Sequence, residues 1–193
     1  MKKYFFLLLL FPAVSIIAQN IDISILKDIN LNRERQLDGF FRVITDSASP
    51  VAYGVAILLI GISFLKNYSH TRKRSLYIGA SVVSAGIITT ILKYSIHRPR
   101  PFITYPFLEK ITSRGSPSFP SGHTTDAFSI ATAVSLAYPK WYVIIPAYAW
   151  AVAVGYSRMD LGVHYPSDVL VAAIIGAGTA FLCYKALKLN SKN

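Results

Sequence analysis

The chain alternates long apolar blocks with short polar connections. From Val51 to Leu65, Leu76 to Leu92, Ala127 to Tyr138, Trp141 to Tyr156 and Val169 to Tyr184 the residues are almost all apolar or small, a pattern that predicts helices embedded in lipid. Several blocks are shorter than the ~20 residues of an isolated spanning helix, so each must draw polar residues into its ends. Small residues cluster at Gly79-Ala80-Ser81 with Ser84-Ala85-Gly86, and again at Gly176-Ala177-Gly178, where helices can approach closely in lipid. The expected fold is all-α, a polytopic membrane bundle of five core transmembrane helices.

Two stretches before the first block differ from it. Residues 1–18 hold Lys2-Lys3, an apolar run from Tyr4 to Pro12 and small residues up to Ala18, the form of a secretory signal peptide. An uncleaved first membrane helix is the alternative, and in either case the next segment emerges on the far side of the membrane. Residues 20–49 are the most polar part of the chain, yet Leu37, Phe40, Phe41 and Ile44 fall at i, i+3, i+4 and i+7, one apolar stripe on a helix. Such a helix either lies on the membrane surface or packs against the domain. The division is therefore residues 1–18, signal peptide or N-terminal helix, and residues 19–193, one membrane-embedded domain.

Composition agrees: of 193 residues 53% are hydrophobic and 15% charged, against roughly 25% charged in soluble domains. Twenty Lys and Arg against nine Asp and Glu leave a net charge of +11, which suits nucleic acid, an anionic membrane surface or a phosphorylated substrate. The distribution of the charge decides among them. Lys66, Arg72, Lys73 and Arg74 follow the first block, Lys140 the third, and Lys185, Lys188 and Lys192 the last, with no acid among them; the positive-inside rule makes these connections cytoplasmic. Residues 93–126 and 157–168 then lie together on the outer face. Positive charge split between two membrane sides gives no continuous basic face for nucleic acid. Only Glu109, Asp126, Asp160 and Asp168 follow residue 46 as acids, which disfavours carboxylate-rich metal chemistry, and the single cysteine, Cys183, excludes an intrachain disulfide.

The two outer segments hold the residues of catalytic type. Lys93, Arg100 and Arg158 are cations suited to a phosphate or pyrophosphate end, whose oxygens match guanidinium forks; headgroup contact is the plain alternative for any one of them. Ser121-Gly122-His123 directly precedes an apolar run, so it predicts a helix N-terminus whose backbone N–H groups can receive phosphate oxygens, or a simple cap. His164 and Asp168 lie four residues apart and share one face if the last helix begins near Pro166. The carboxylate can then accept a hydrogen bond from one ring nitrogen and leave the other as a nucleophile for phosphorus, with a phosphohistidine intermediate. His123 is the natural general acid for the leaving oxygen. A structural His–Asp hydrogen bond is the alternative.

Together these segments resemble the signature of the type 2 phosphatidic acid phosphatase superfamily, which includes bacterial class A acid phosphatases, glucose-6-phosphatase and the vanadium haloperoxidases. Its pattern, K-x6-RP, PSGH and SR-x5-H-x3-D, is met by Lys93 to Pro101, Pro120 to His123 and Ser157 to Asp168, and the similarity extends over about residues 30 to 187. The resemblance implies His164 as nucleophile, Asp168 as its orienting partner, His123 as the acid, and Lys93, Arg100, Arg158, Ser121 and Gly122 as the phosphate site, with no metal or cofactor. Arg98-Pro99 offers a shorter register, and the family spacing selects Arg100. By resemblance the chain is an enzyme of the inner membrane of a bacterium, with its site facing the periplasm. It looks most like undecaprenyl pyrophosphate phosphatases, with phosphatidylglycerophosphate, phosphatidic acid and lipid A phosphatases as alternatives. A non-enzymatic protein that binds or transports anionic lipids would need the cations but not the His164, His123 and Asp168 set. Oligomeric state is not legible in the sequence.

Overall fold

The computed structural model describes residues 20–66, 69–112 and 115–187; the signal-peptide reading of residues 1–18 lies outside the described residues. The described part contains α1 (residues 20–31), a 3-10 turn at Arg35–Leu37, α2 (Asp38–Asp46), α3 (Ala48–Leu65), α4 (Ser69–Ile96), the short α5 (Pro101–Thr104), α6 (Gly122–Ala137), α7 (Trp141–Asp160) and α8 (Pro166–Ala186). No strand occurs among the described residues. Each of the five apolar blocks has become one helix, extended at its ends by polar residues.

Among the described residues, Arg35–Leu65, Thr71–Thr104 and Pro166–Ala186 are long and apolar enough to cross a membrane. The exposed side chains are those of a lipid-facing belt: Ile57 and Leu58 on α3, Ile87 and Ile91 on α4, Ile145 and Val152 on α7, Leu170 and Ile174 on α8. So extensive an apolar surface is foreign to a soluble monomer, and the protein is an integral membrane protein.

α6 is built differently. It has 16 residues, about 24 Å at 1.5 Å per residue, and it is rich in Ser and Thr. It packs against α3, α4, α7 and α8, so most of its residues are buried in protein, and three of its polar side chains bond across helices. Thr89 Oγ donates to Thr125 Oγ at 3.1 Å, Ser49 Oγ donates to Asp126 at 2.7 Å, and the Thr132 and Tyr148 hydroxyls are 2.8 Å apart. A helix with protein on every side needs small residues and paired polar groups more than lipid-soluble ones.

The small-residue cluster on α8 acts as expected at one of its two glycines. A Cβ on Gly176 would stand 2.5 Å from the Thr125 carbonyl oxygen and 2.9 Å from the Ser129 nitrogen, whereas one on Gly178 would meet nothing within 4 Å. The stripe on α2 divides: Phe41 tilts against Tyr156 with ring centroids 5.4 Å apart, and Ile44 packs on the cluster of Ala48, Ala127, Ala131, Ala151 and Val154. Leu37 and Phe40 stay exposed. The helix is therefore docked on the bundle along the part of the stripe that meets α3 and α7.

Because α6 and α7 run in opposite directions, the connection after α4 and the connection after α7 meet at one end of the bundle, alongside α1 and α2. Lys66, Arg72, Lys73, Arg74, Lys140 and Lys185 lie at the other. Gly176→Ala is expected to destabilise the protein by about 1–3 kcal/mol through overpacking of the α6–α8 contact, while Gly178→Ala stays within about 0.5 kcal/mol of the parent. Thermal unfolding of both variants in detergent checks the contrast.

Candidate active site

Four helix ends and one loop meet at that end of the bundle. α4 terminates where His97 takes a left-handed conformation, φ 51°, unusual for a residue with a Cβ and a common helix stop. The turn sends the segment from Arg98 to Pro101 back across the bundle. α7 ends at Asp160, and Gly162 follows with φ +71°; a Cβ there would overlap the Glu109 carbonyl oxygen, so only glycine fits this turn. α8 begins at Pro166, whose fixed φ suits a first helical position, and Asp168 falls in its first turn.

His164 lies in the α7–α8 loop and is 2% exposed. Its Nδ1 is 3.5 Å from Asp168 Oδ2 and 3.5 Å from Ser118 Oγ, while Nε2 faces Arg100 Nη1 at 3.3 Å. Burial pushes the imidazole from its ordinary 6.5 down to about 3; the Asp168 hydrogen bond opposes this, and the Arg158 and Arg100 charges add to it. The ring is therefore neutral near pH 7. With Nδ1 turned to the carboxylate, the Nε2 lone pair points toward the guanidinium, where an incoming anion would sit.

Asp168 is fully buried and fully engaged. Its Oδ2 accepts from Ser118 Oγ at 2.5 Å and from the Tyr165 backbone N–H at 3.1 Å, and its Oδ1 accepts from Arg98 Nη1 at 2.6 Å. Arg100 is 3% exposed and is aimed by the backbone, its Nε donating to Ser116 O at 2.8 Å and its Nη1 to Val163 O at 2.8 Å. The two candidate registers thus have separate places, Arg100 against His164 Nε2 and Arg98 against the Asp168 carboxylate.

Arg158 is completely buried; its Nη1 donates to Thr45 Oγ at 2.6 Å, and its carbonyl accepts the His164 N–H at 3.2 Å. Lys93 Nζ donates to the carbonyls of Pro117 at 2.8 Å and Pro120 at 2.9 Å, and it lies within electrostatic reach of Arg100, Arg158 and Asp168. Ser121 precedes the first residue of α6 as its N-cap, but its side chain makes no capping bond to the helix; its Oγ accepts from Thr124 Oγ instead, at 2.9 Å. Space is open around Gly122, so an anion can approach the backbone N–H groups there. His123, next along α6, is only half-buried.

Sequence reasoning missed four side chains. Ser118 lies in a serine- and proline-rich stretch where no spacing singles it out. Thr45 holds Arg158 from 113 positions away. Asn30, fully buried, fastens α1 over this end by donating from Nδ2 to Glu109 O at 3.0 Å and Asp160 O at 2.8 Å while its Oδ1 accepts the Glu109 N–H at 2.9 Å. Asp22 bonds Arg98 and the start of α8. Among the described residues no group of three or more His, Cys, Asp and Glu is arranged to hold a metal ion.

The folded His164 binds a proton far less readily than an unfolded one, so its burial stabilises the protein fully above pH 6.5, and that contribution is lost as the pH falls from 6.5 toward 3. The expected result is a thermal midpoint that declines over this range in the parent and declines less steeply in His164→Asn, compared by melting both proteins in the same detergent.

Comparison with known proteins gives a consistent picture. The sequence profile described as the PAP2 superfamily matches residues 74–192. The undecaprenyl-diphosphatase BcrC of Bacillus subtilis is 31% identical over 151 residues, covering 77% of this chain and 74% of its own. An undecaprenyl-diphosphatase of Sulfolobus acidocaldarius is 32% identical over 197 residues, covering 94% of this chain and 91% of its own. Among solved structures, a transmembrane PAP2-type phosphatidylglycerolphosphate phosphatase from Bacillus subtilis superposes with a TM-score of 0.76 at 28% identity, over 97% of this chain and 96% of that one. LpxE of Aquifex aeolicus gives 0.72 at 28% identity, over 86% and 95%.

Proposed function

The chain belongs to the PAP2 superfamily and is a membrane-bound lipid phosphatase; from that premise we propose that it hydrolyses an isoprenoid lipid pyrophosphate, undecaprenyl pyrophosphate by preference, at the outer face of the membrane. The observation that carries the chemistry is the environment of His164: a neutral, buried imidazole with Nδ1 toward Asp168 and Nε2 toward Arg100.

In this reading His164 Nε2 attacks the terminal phosphorus. An N–P bond forms as the bridging P–O bond breaks, and His123 gives its proton to the departing oxygen. Arg100, Lys93, Arg158, the Ser121 hydroxyl and the Gly122 N–H neutralise the transferring phosphoryl oxygens, which is how most phosphoryl transfer is accelerated. Asp168 steadies the positive charge that develops on the imidazole. His123 then removes a proton from water, which attacks phosphorus, breaks the N–P bond and releases inorganic phosphate. No step uses a metal.

The surroundings of the site support a lipid substrate. Beside it an apolar cleft of about 370 Å³ opens between α7 and α8, lined by residues such as Phe128, Val152, Gly155, Val169 and Leu170. This cleft, lined also by Pro166 at the start of α8, offers a bed for a hydrocarbon chain. Two relatives named as undecaprenyl-diphosphatases favour the pyrophosphate. Five membrane crossings, with residues 19–193 as a single domain, and a periplasmic site belong to the same proposal.

Purified protein in detergent is expected to release phosphate from undecaprenyl pyrophosphate faster than from phosphatidylglycerophosphate, phosphatidic acid or lipid A. The activity persists in EDTA and falls at least about 10³-fold in His164→Ala, within the range lost with a covalent nucleophile. Full activity in that variant refutes the mechanism, and a different order of substrates refutes the preference. For orientation, a cysteine placed at Lys73 in a Cys183→Ala background is expected to react with an impermeant maleimide only after the cells are opened.

A further inference from the structure

Arg98 stands just outside the set of groups that would touch substrate, yet it is held by side chains of both α1 and α8. Its Nη1 donates to Asp168 Oδ1 at 2.6 Å and to Ser167 Oγ at 2.7 Å. Its Nη2 donates to Asp22 Oδ2 at 2.7 Å, and its guanidinium carbon lies 3.8 Å from the Tyr165 ring centroid. Asp22, from α1, is itself 6% exposed and grips the start of α8, its Oδ1 accepting the Ser167 N–H at 2.8 Å and its Oδ2 accepting the Ser167 hydroxyl at 2.5 Å.

We propose that Asp22 is a positioning residue for the His164–Asp168 pair and acts on it through Arg98. The inference rests on the reading of His164 as nucleophile. Bond formation at Nε2 places positive charge on the imidazole, and Asp168 can steady that charge only so far as its own is not cancelled. Arg98 alone would cancel it. Asp22 shares the same guanidinium, so the row Asp22, Arg98, Asp168 carries one net negative charge, which is available to the ring. The bonds to Ser167 also fix the turn that presents Asp168. The other charged groups around the pair are Lys93 of α4, Arg100 of the following connection and Arg158 of α7, with His123 at the start of α6. All of these are cations or neutral, so the acid supplied by α1 weighs heavily in the balance.

The test is steady-state hydrolysis of undecaprenyl pyrophosphate against pH by the full-length protein in detergent, for Asp22→Asn, Asp22→Glu, Arg98→Gln and the Asp22→Asn/Arg98→Gln pair, with His164→Ala as control. Loss of a charged hydrogen-bonding partner lowers kcat by about 10- to 100-fold. In Asp22→Asn that fall is expected with KM within about 3-fold of the parent, and the acidic limb of kcat moves to lower pH because a negative charge has gone. In Arg98→Gln the limb moves to higher pH. The double variant falls no more than about 2-fold below Arg98→Gln, as expected when two residues act along one path. Asp22→Glu, which keeps the charge, returns the limb to its parental position and recovers most of kcat.

Parental kcat and pH profile in Asp22→Asn, additive losses in the pair, or a Glu variant no better than Asn overturns the role of Asp22. Should Asp22→Asn not fold, the Glu variant and Arg98→Gln decide: a limb displaced from the parental pH in Asp22→Glu, or not raised in Arg98→Gln, overturns the role of Asp22. Activity surviving in His164→Ala overturns instead the nucleophile on which the inference rests.

Discussion

A carboxylate with no access to water organises one end of this helical bundle. Asp168 is fully buried in the first turn of α8, and an unpaired carboxylate in such a place would be destabilising by several kcal/mol. Its partners come from separate parts of the chain: Arg98 from the turn after α4, Ser118 from the loop before α6, and the Tyr165 N–H from the residue preceding α8. Satisfying the charge therefore fixes the α4–α6 connection against the α8 start. The same arrangement leaves Oδ2 facing His164.

The second constraint is the need to bring polar chemistry to the boundary of an apolar bundle. α6 meets it by occupying the centre, where α3, α4, α7 and α8 surround it and Thr125, Asp126 and Thr132 bond to hydroxyls on its neighbours. Gly176 lets α8 approach the α6 backbone closely. The N-terminus of α6 is thereby held beneath the cations, with Gly122 open to an approaching anion. Arg158 illustrates the outcome. It is a completely buried cation at the end of a largely apolar helix, anchored by Thr45 of α2.

Much of this was legible in the sequence because it is local. Five apolar blocks became five helices, Ser121-Gly122 became the start of α6, Pro166 became the first residue of α8, and the four-residue spacing of His164 and Asp168 brought them together. The charge asymmetry between connections also marked the two ends of the bundle. Less was legible where one residue type could serve two purposes. Arg98 and Arg100 are two positions apart, and only the backbone turn at His97 shows that one faces Asp168 and the other His164. The stripe on α2 was visible, but which of its residues would be covered was not.

Hydrophobic period, small-residue clusters and ordered motifs act through near neighbours, so the sequence alone determined an all-helical membrane bundle and the residue types that gather at the candidate site. The tertiary structure alone decided which distant side chains complete that site. Asp22, Asn30 and Thr45 lie in the polar N-terminal part and meet their partners 76 to 145 positions later; their bonds exist because burial leaves polar groups no water to use, and no local pattern records which partner each will find.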